Sequence, residues 1–269
     1  MRCEVGRVHY HVKTAGAGPP VLLLHGFMGS LDMWEPWWED WQEEFQLVAV
    51  DFLGHGQSSL DHGDDHANME STVADMVAIL DQLGIEKTHL VGYSMGGRVA
   101  LAMTLTYPER VDRVVLESAS PGIRDTEARR ARQRDDEERA RLLETAGVRA
   151  FVDRWEKMRL FASQSGLPIE VQQRLRQSRL NNSVEGLAMS LRELGTGRQP
   201  SYWHQLTKCN RPLRLIVGAL DEKFVSIGAD IAALVPGASL VIVEGSGHAV
   251  HLECPTAFGR EVRNFLAES

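Results

Sequence analysis

The sequence predicts an α/β architecture: a mainly parallel, twisted sheet with helices on both faces and one large helical insertion. Three observations carry this reading. Short apolar runs alternate with helix-length stretches from residue 21 to residue 117, the pattern of successive strand-then-helix units. The rhythm stops between residues 121 and 206, where Arg, Asp and Glu are dense and the spacing is helical. It then resumes for two further strands, so both ends of the insertion return to one sheet.

Along the chain, residues 5–12 alternate, with Val8, Tyr10 and Val12 on one face and Arg7, His9 and His11 on the other; this predicts one half-buried strand at the edge of a hairpin. Gly and Pro punctuate residues 16–20, and the apolar runs 21–24 and 46–50 then read as strands flanking a helix over 34–43. A helix is expected over 71–83, a strand over 89–92, a helix over 95–107 and a strand over 111–117. After the insertion come a strand over 213–218, a helix over 227–234, a strand over 239–243 and a closing helix over 256–266. The expected organisation is a core of residues 1–120 and 207–269 under a helical cap of residues 121–206.

The bulk numbers narrow the function classes. The chain has 269 residues, 43% of them hydrophobic and 25% charged, enough to bury a sizeable core. A formal net charge of −8 argues against a nucleic-acid partner, because phosphate affinity rests on clustered Lys and Arg. No apolar run reaches the roughly 18 residues of a membrane span, and the first residues carry no secretory segment. The expectation is a cytoplasmic protein without membrane insertion, a monomer or small homo-oligomer. Cys3, Cys209 and Cys254 are too few and too scattered for a disulfide framework or a paired metal site.

The chemistry concentrates in Gly92-Tyr93-Ser94-Met95-Gly96, which follows an apolar run and opens a helix. That context gives a G-x-S-x-G string its meaning: small residues permit a sharp turn that lifts the serine Oγ above the strand ends. The Met95 N–H then stands in the first turn of a helix, where backbone donors lack intrahelical partners and can meet an oxyanion. Asp221 follows the strand over 213–218, and His248 follows the strand over 239–243 within Gly245-Ser246-Gly247-His248. Both stand at the carboxyl edge of the sheet, where ligands collect in open α/β folds. A serine needs a neutral imidazole to take its proton and a carboxylate to hold the imidazole's tautomer. His248 and Asp221 fit those tasks. Glu222 is one position along and Asp51 belongs to a different loop; His25, His55 and His251 read as structural hydrogen-bonding residues.

With these landmarks in the order Ser, Asp, His, the chain resembles the α/β-hydrolase superfamily over nearly its whole length. His25-Gly26-Phe27 looks like that superfamily's oxyanion loop, which makes the Phe27 N–H the second donor beside Met95, and residues 51–58 look like its D-x-x-G-x-G-x-S loop. Within the superfamily the chain is similar to the 2-succinyl-6-hydroxy-2,4-cyclohexadiene-1-carboxylate synthases, pyruvate-eliminating lyases of menaquinone biosynthesis. The likeness rests on Gly96-Gly97-Arg98, on Ser120-Pro121-Gly122-Ile123 with Arg129, Arg132 and Arg134, and on Phe151-Val152-Asp153-Arg154-Trp155. It also rests on Phe161-Ala162-Ser163, Arg179-Leu180-Asn181-Asn182 and Leu220-Asp221-Glu222-Lys223-Phe224. The resemblance implies a small-molecule polycarboxylate substrate, held by Arg98, Arg132 and Arg179 with Tyr93 and Trp155 as further contacts, and chemistry that needs neither cofactor nor metal. Guanidinium groups suit carboxylates, which they pair bidentately. Most other arginines between 124 and 141 are interleaved with acids at helical spacing and read as a salt-bridged surface; Trp155 also suits the cap's own core. Two further readings stay open: a carboxylesterase or C–C bond hydrolase acting on an acidic substrate, and a non-catalytic small-ligand-binding protein.

Overall fold

The computed structural model describes residues 1–60 and 67–268. The chain opens with β1 (Arg2–Val5) and β2 (Val8–Ala15), an antiparallel hairpin in which Val5 faces Val8. The single strand expected over 5–12 is corrected here: Gly6, at φ 61°, reverses the chain, a conformation glycine takes without steric cost. The alternation from Val8 to Val12 is real, but it belongs to a strand with partners on either side. β2 pairs β1, β4 (Gln46–Val50) and the short β5 (Ser59–Leu60), all antiparallel, so β1 and not β2 forms the edge.

The parallel part of the sheet consists of β3 (Pro20–Leu24), β4, β6 (Thr88–Tyr93), β7 (Val111–Glu117), β8 (Leu213–Gly218) and β9 (Ser239–Val243), in the spatial order β4-β3-β6-β7-β8-β9. The central strands are buried on both faces, as continuous Val/Leu runs require. Each fully buried Leu or Val side chain contributes about 1.5–3 kcal/mol of transfer free energy. Helices α1 (Glu35–Trp41), α2 (Met69–Gln82) and α3 (Met95–Thr106) connect these strands. The Asn68 side chain accepts from the Ser71 amide at 3.0 Å, which starts α2 at an ordinary N-cap. Two apolar cores result: one holds α2 and α3, the other gathers Trp34, Trp37, Trp38 and Trp41 with Phe258.

Between β7 and β8 the described chain is helical: α4 (Thr126–Trp155), α5 (Ile169–Leu180) and α6 (Val184–Glu193), with short 3₁₀ turns between. Gly147, at φ 79° and ψ 170°, breaks α4. This insertion has its own apolar cluster, in which Ala140, Leu143, Phe151, Leu187 and Leu191 meet Met28 from the loop after β3. The sheet is completed by α7 (Glu222–Leu234) after β8, then α8 (Val250–Glu253) and α9 (Pro255–Ala267) after β9. Helix α7 starts five residues before the expected 227, because Asp221 caps it. Among the described residues no helix is long and apolar enough to cross a membrane, and all three cysteines are free thiols.

One contact between the insertion and the core is backbone on backbone. Gly54, in the loop after β4 at φ 75°, meets Gly186 of α6 backbone to backbone: a Cβ at Gly54 would lie 2.6 Å from the Gly186 Cα, and one at Gly186 would lie 2.5 Å from the Gly54 Cα. In an unobstructed helix Gly→Ala gains about 1 kcal/mol. Here Gly186→Ala is expected to cost about 1–3 kcal/mol through overpacking, measured as a lowered urea midpoint; a raised midpoint would show that α6 can part from the loop freely.

Candidate active site

The parallel register brings five strand ends level: Leu24 opposite Gly92, Tyr93 opposite Glu117, and Gly218 opposite Val243. From that edge rise the loops bearing Phe27, Ser94, Asp221 and His248. Ser94 takes φ 50° and ψ −103° at the head of α3, a conformation that costs a non-glycine residue about 1–3 kcal/mol. It is held because the strand and helix close tightly on each other. A Cβ at Gly92 would lie 2.5 Å from the Gly96 carbonyl oxygen, and one at Gly96 would press into the Leu24 carbonyl. The Ser94 amide donates to the Glu117 carbonyl at 2.8 Å.

His248 and Asp221 are buried, and their geometry assigns the imidazole tautomer. Nδ1 lies 2.8 Å from Asp221 Oδ2, and a carboxylate only accepts, so Nδ1 carries the proton. Nε2 is left to accept from Ser94 Oγ at 3.1 Å. The other Asp221 oxygen caps α7, accepting from the Phe224 amide at 3.4 Å, so one carboxylate both starts a helix and faces the imidazole. Glu222 is exposed, and Asp51 is occupied elsewhere by the Leu31 and Gln57 amides and by His11. His25 is likewise consumed, donating from Nδ1 to the Gly26 carbonyl at 2.7 Å and accepting at Nε2 from the Phe52 amide at 3.0 Å. Met95 is the first residue of α3, and Phe27 lies in the turn after β3, placing both amides at the edge that carries Ser94.

Aromatic rings wall the space above the serine. Phe27 packs on Trp155 with centroids 5.2 Å apart; Trp155 packs on Phe161 at 5.5 Å, and Phe161 meets the His248 ring at 6.0 Å. Phe224 closes on the other side of His248 at 4.7 Å, and Tyr93 lies 5.5 Å from it. Burial, then the nearby Glu117 charge, holds the Tyr93 hydroxyl well above its ordinary pKa, so it stays a neutral donor.

The three singled-out arginines fall into two groups. Arg179 is 7% exposed, lies over the Phe161 ring, and donates to Glu156 Oε1 at 3.1 Å and Gln164 Oε1 at 2.9 Å. Arg98, 8% exposed, donates from Nη1 to the Leu194 carbonyl at 2.8 Å and to Gln199 Oε1 at 2.9 Å. Burial, and then the Arg132 charge, pull its pKa down to about 9. Arg132, with 31% of its side chain exposed, engages the buried Asp136 through Nε at 2.8 Å, which leaves its Nη edge unclaimed by that carboxylate. Lys223 completes the cationic rim: its surface is exposed, yet enough protein surrounds the ammonium that desolvation, then Arg132, lower its pKa. Each guanidinium has five N–H donors, so donors remain for an anionic ligand, whose charge would relieve the like-charge crowding.

Several of these partners escape sequence reasoning. Gln164, Gln199 and Asp136 look like surface residues in an Arg- and Glu-rich segment, and only the fold buries them. Phe161, Lys223 and Phe224 stood within matched motifs, and the strand-end position of Asp221 could have drawn attention to the two that follow it. Among the described residues no group of three or more His, Cys, Asp or Glu is placed to hold a metal ion.

Beside Phe27 lies a buried histidine with consequences for stability. His55 donates from Nδ1 to the Leu53 carbonyl at 3.1 Å, while its Nε2 is buried without a hydrogen-bond partner. Burial, then the neighbouring His25, lower its pKa to about 3. The unfolded chain therefore binds this proton more readily, so the stability present above pH ~6.5 drains away as pH falls toward the folded value. Between pH 7 and 5 the wild-type protein is expected to lose about 2 kcal/mol more than His55→Gln in urea unfolding; equal losses would show that His55 is protonated without cost.

Comparisons with known proteins identify the family. The family model described as alpha/beta hydrolase fold matches residues 19–255. A Bacillus subtilis protein named putative 2-succinyl-6-hydroxy-2,4-cyclohexadiene-1-carboxylate synthase is 40% identical over 96% of this chain and 95% of its own length. The synthase of that name from Serratia proteamaculans is 30% identical over 92% of this chain and 93% of its own. Among solved structures, MenH from S. aureus superposes with a TM-score of 0.91 at 33% identity, covering 96% of this chain and 97% of that one. The chain thus belongs to the α/β-hydrolase family, among the 2-succinyl-6-hydroxy-2,4-cyclohexadiene-1-carboxylate synthases and their relatives.

Proposed function

We propose that the protein is the lyase that converts 2-succinyl-5-enolpyruvoyl-6-hydroxy-3-cyclohexene-1-carboxylate into 2-succinyl-6-hydroxy-2,4-cyclohexadiene-1-carboxylate and pyruvate. What carries this reading is a set of cations around the ends of the same elements: Arg98 one turn after Ser94 on α3, Arg132 whose charge acts on Arg98 and Lys223, Lys223 two residues after Asp221, and Arg179 over the Phe161 ring that meets His248, a set suited to a substrate with several carboxylates. An esterase for apolar acyl chains would gain nothing from buried guanidinium groups, whose desolvation is costly. The names of the relatives at 40% and 30% identity point to the same reaction.

In this reading the triad acts as a base. His248 takes the Ser94 proton, Asp221 stabilises the resulting imidazolium, and the serine oxygen removes the ring proton beside the succinyl ketone. The C–H electrons form the C2–C3 double bond, the C3–C4 double bond moves to C4–C5, and the C5–O bond breaks to release enolpyruvate, which becomes pyruvate. Negative charge on the ketone oxygen in the transition state is met by the Phe27 and Met95 amides. Arg98, Arg132 and Arg179 bind carboxylates; Tyr93 and Trp155 contact the substrate; residues 121–206 serve as the cap over a core of residues 1–120 and 207–269. The polycarboxylate is handled in the cytoplasm by a monomer or small homo-oligomer.

The test is pyruvate release from the precursor, generated in place by its upstream synthase, with a nitrophenyl ester assayed alongside. Ser94→Ala is expected to lower pyruvate release by about a thousandfold or more, as loss of a triad member does; release no faster than the spontaneous rate by wild-type protein, with brisk ester turnover, would establish a hydrolase instead. Arg98→Ala is expected to lower kcat/KM for the lyase reaction at least about tenfold, the effect of losing one charge-assisted pair, while ester cleavage stays near wild type. Equal loss on both substrates would make Arg98 a packing residue.

A further inference from the structure

Beyond the triad, a second acid and histidine lie buried directly behind it. Glu117 ends β7 and is wholly buried, and His251 is the second residue of α8. The His251 amide donates to Glu117 Oε1 at 2.9 Å, and its Nδ1 reaches both carboxylate oxygens at 2.9 Å. Burying a carboxylate costs several kcal/mol unless it is hydrogen-bonded, and here a single residue reaches both of its oxygens. Neither side chain reaches Ser94 Oγ or His248 in the hydrogen bonding, so neither belongs to the proton path.

What distinguishes Glu117 is that it grips the site at both ends. Its carbonyl accepts from the Ser94 amide at 2.8 Å, while its carboxylate holds the first turn of the helix that begins two residues after His248. The His251 ring also packs edge-on against Tyr93, with centroids 4.5 Å apart, directly beneath the nucleophile turn. The base's loop is gripped a second time by Glu253, which accepts from the Gly247 amide at 2.7 Å and the Ala249 amide at 3.4 Å, on either side of His248. The serine and the histidine come from loops 154 residues apart, yet Oγ and Nε2 meet at 3.1 Å. Glu117 thus bonds both the nucleophile turn and the helix that follows the base's loop.

We propose that Glu117 and His251 are positioning residues that set the Ser94–His248 separation, coupling the nucleophile turn to the base's loop. This rests on the triad reading and not on the identity of the substrate. Misplacing reacting groups by a fraction of an ångström to one ångström costs up to about a hundredfold in rate, so loosening this bridge lowers reactivity while the arginines go on binding substrate.

The measurement is the rate at which diisopropyl fluorophosphate modifies Ser94 in the full-length protein, followed by mass, beside kcat and KM for pyruvate release and a thermal melt. Glu117→Gln keeps one acceptor oxygen for the His251 amide but sets an NH2 donor against Nδ1. It is expected to slow modification and kcat together by about ten- to a hundredfold, with KM within about twofold of wild type. His251→Gln should act in the same direction, and the double variant should be no slower than the slower single variant within about twofold, as members of one bridge are non-additive. If Glu117→Gln does not fold, His251→Gln alone carries the reading. A folded variant modified as fast as wild type, or singles whose effects multiply in the double, would overturn the proposal. Ser94→Ala that remains reactive would instead overturn the triad itself, and wild type that is modified rapidly yet releases no pyruvate would overturn only the assigned substrate.

Discussion

The left-handed backbone of Ser94 is the constraint on which the rest of the arrangement depends. A serine at φ 50° is strained, and it persists because the surrounding backbone over-determines it: α3 lies so close to β6 and β3 that neither Gly92 nor Gly96 has room for a Cβ. That closeness places the amide of Met95 and the hydroxyl of Ser94 at the same strand edge. It also explains why α3 is buried along most of its length, since a helix pressed this firmly onto a sheet loses its solvent face. Arg98, one turn along the same helix, is then committed to a buried environment, and its two carbonyl partners from the segment after α6 follow from that commitment.

Charge in this site is organised by desolvation. Arg98 and Arg179 are each buried and each answered by neutral or acidic oxygen atoms of the insertion, whereas Arg132 and Lys223 stand nearer solvent. Asp136 offsets part of the crowding: it is buried, serves Arg132 and Arg139 with one oxygen, and keeps the other without a hydrogen-bond partner. An unsatisfied buried acceptor is costly, and the nearby charges of Arg132, Arg139 and Arg98 offset part of that cost. The aromatic wall from Phe27 through Trp155 to Phe161 is apolar except at its Phe161 end, where the Arg179 guanidinium lies over the ring.

Much of this was readable from residue order. The strands of the parallel sheet fall on the short apolar runs, and the positions of Ser94, Asp221 and His248 follow from strand-end placement, since the carboxyl edge of such a sheet is a consequence of topology. The misses have a common physical origin. The β1–β2 reversal at Gly6 shifts the inward positions from odd (Cys3, Val5) to even (Val8, Tyr10, Val12), a change of phase that the clean alternation from Val8 to Val12 does not reveal. Helix α7 begins early because Asp221 caps it, and its first residues, Glu222 to Val225, carry too little periodicity to announce it. Gln199 and Glu117 are bonded to residues about a hundred and about twenty or more positions away, and polar residues engaged through tertiary contacts leave no local pattern.

The Gly54–Gly186 contact bears on how this architecture can be inherited. Two backbones that touch without side chains are each fitted to the other, one in the loop after β4 and one in the helical insertion, 132 positions apart in the chain. The insertion is therefore not a cassette that can be exchanged between homologous cores by joining ends at residues 121 and 206. A transplanted segment also has to bring a residue without a Cβ to the height of Gly54, and a recipient has to supply the matching turn. Side chains away from this seam, such as Arg132, Lys223 and the aromatic wall, can change without disturbing it.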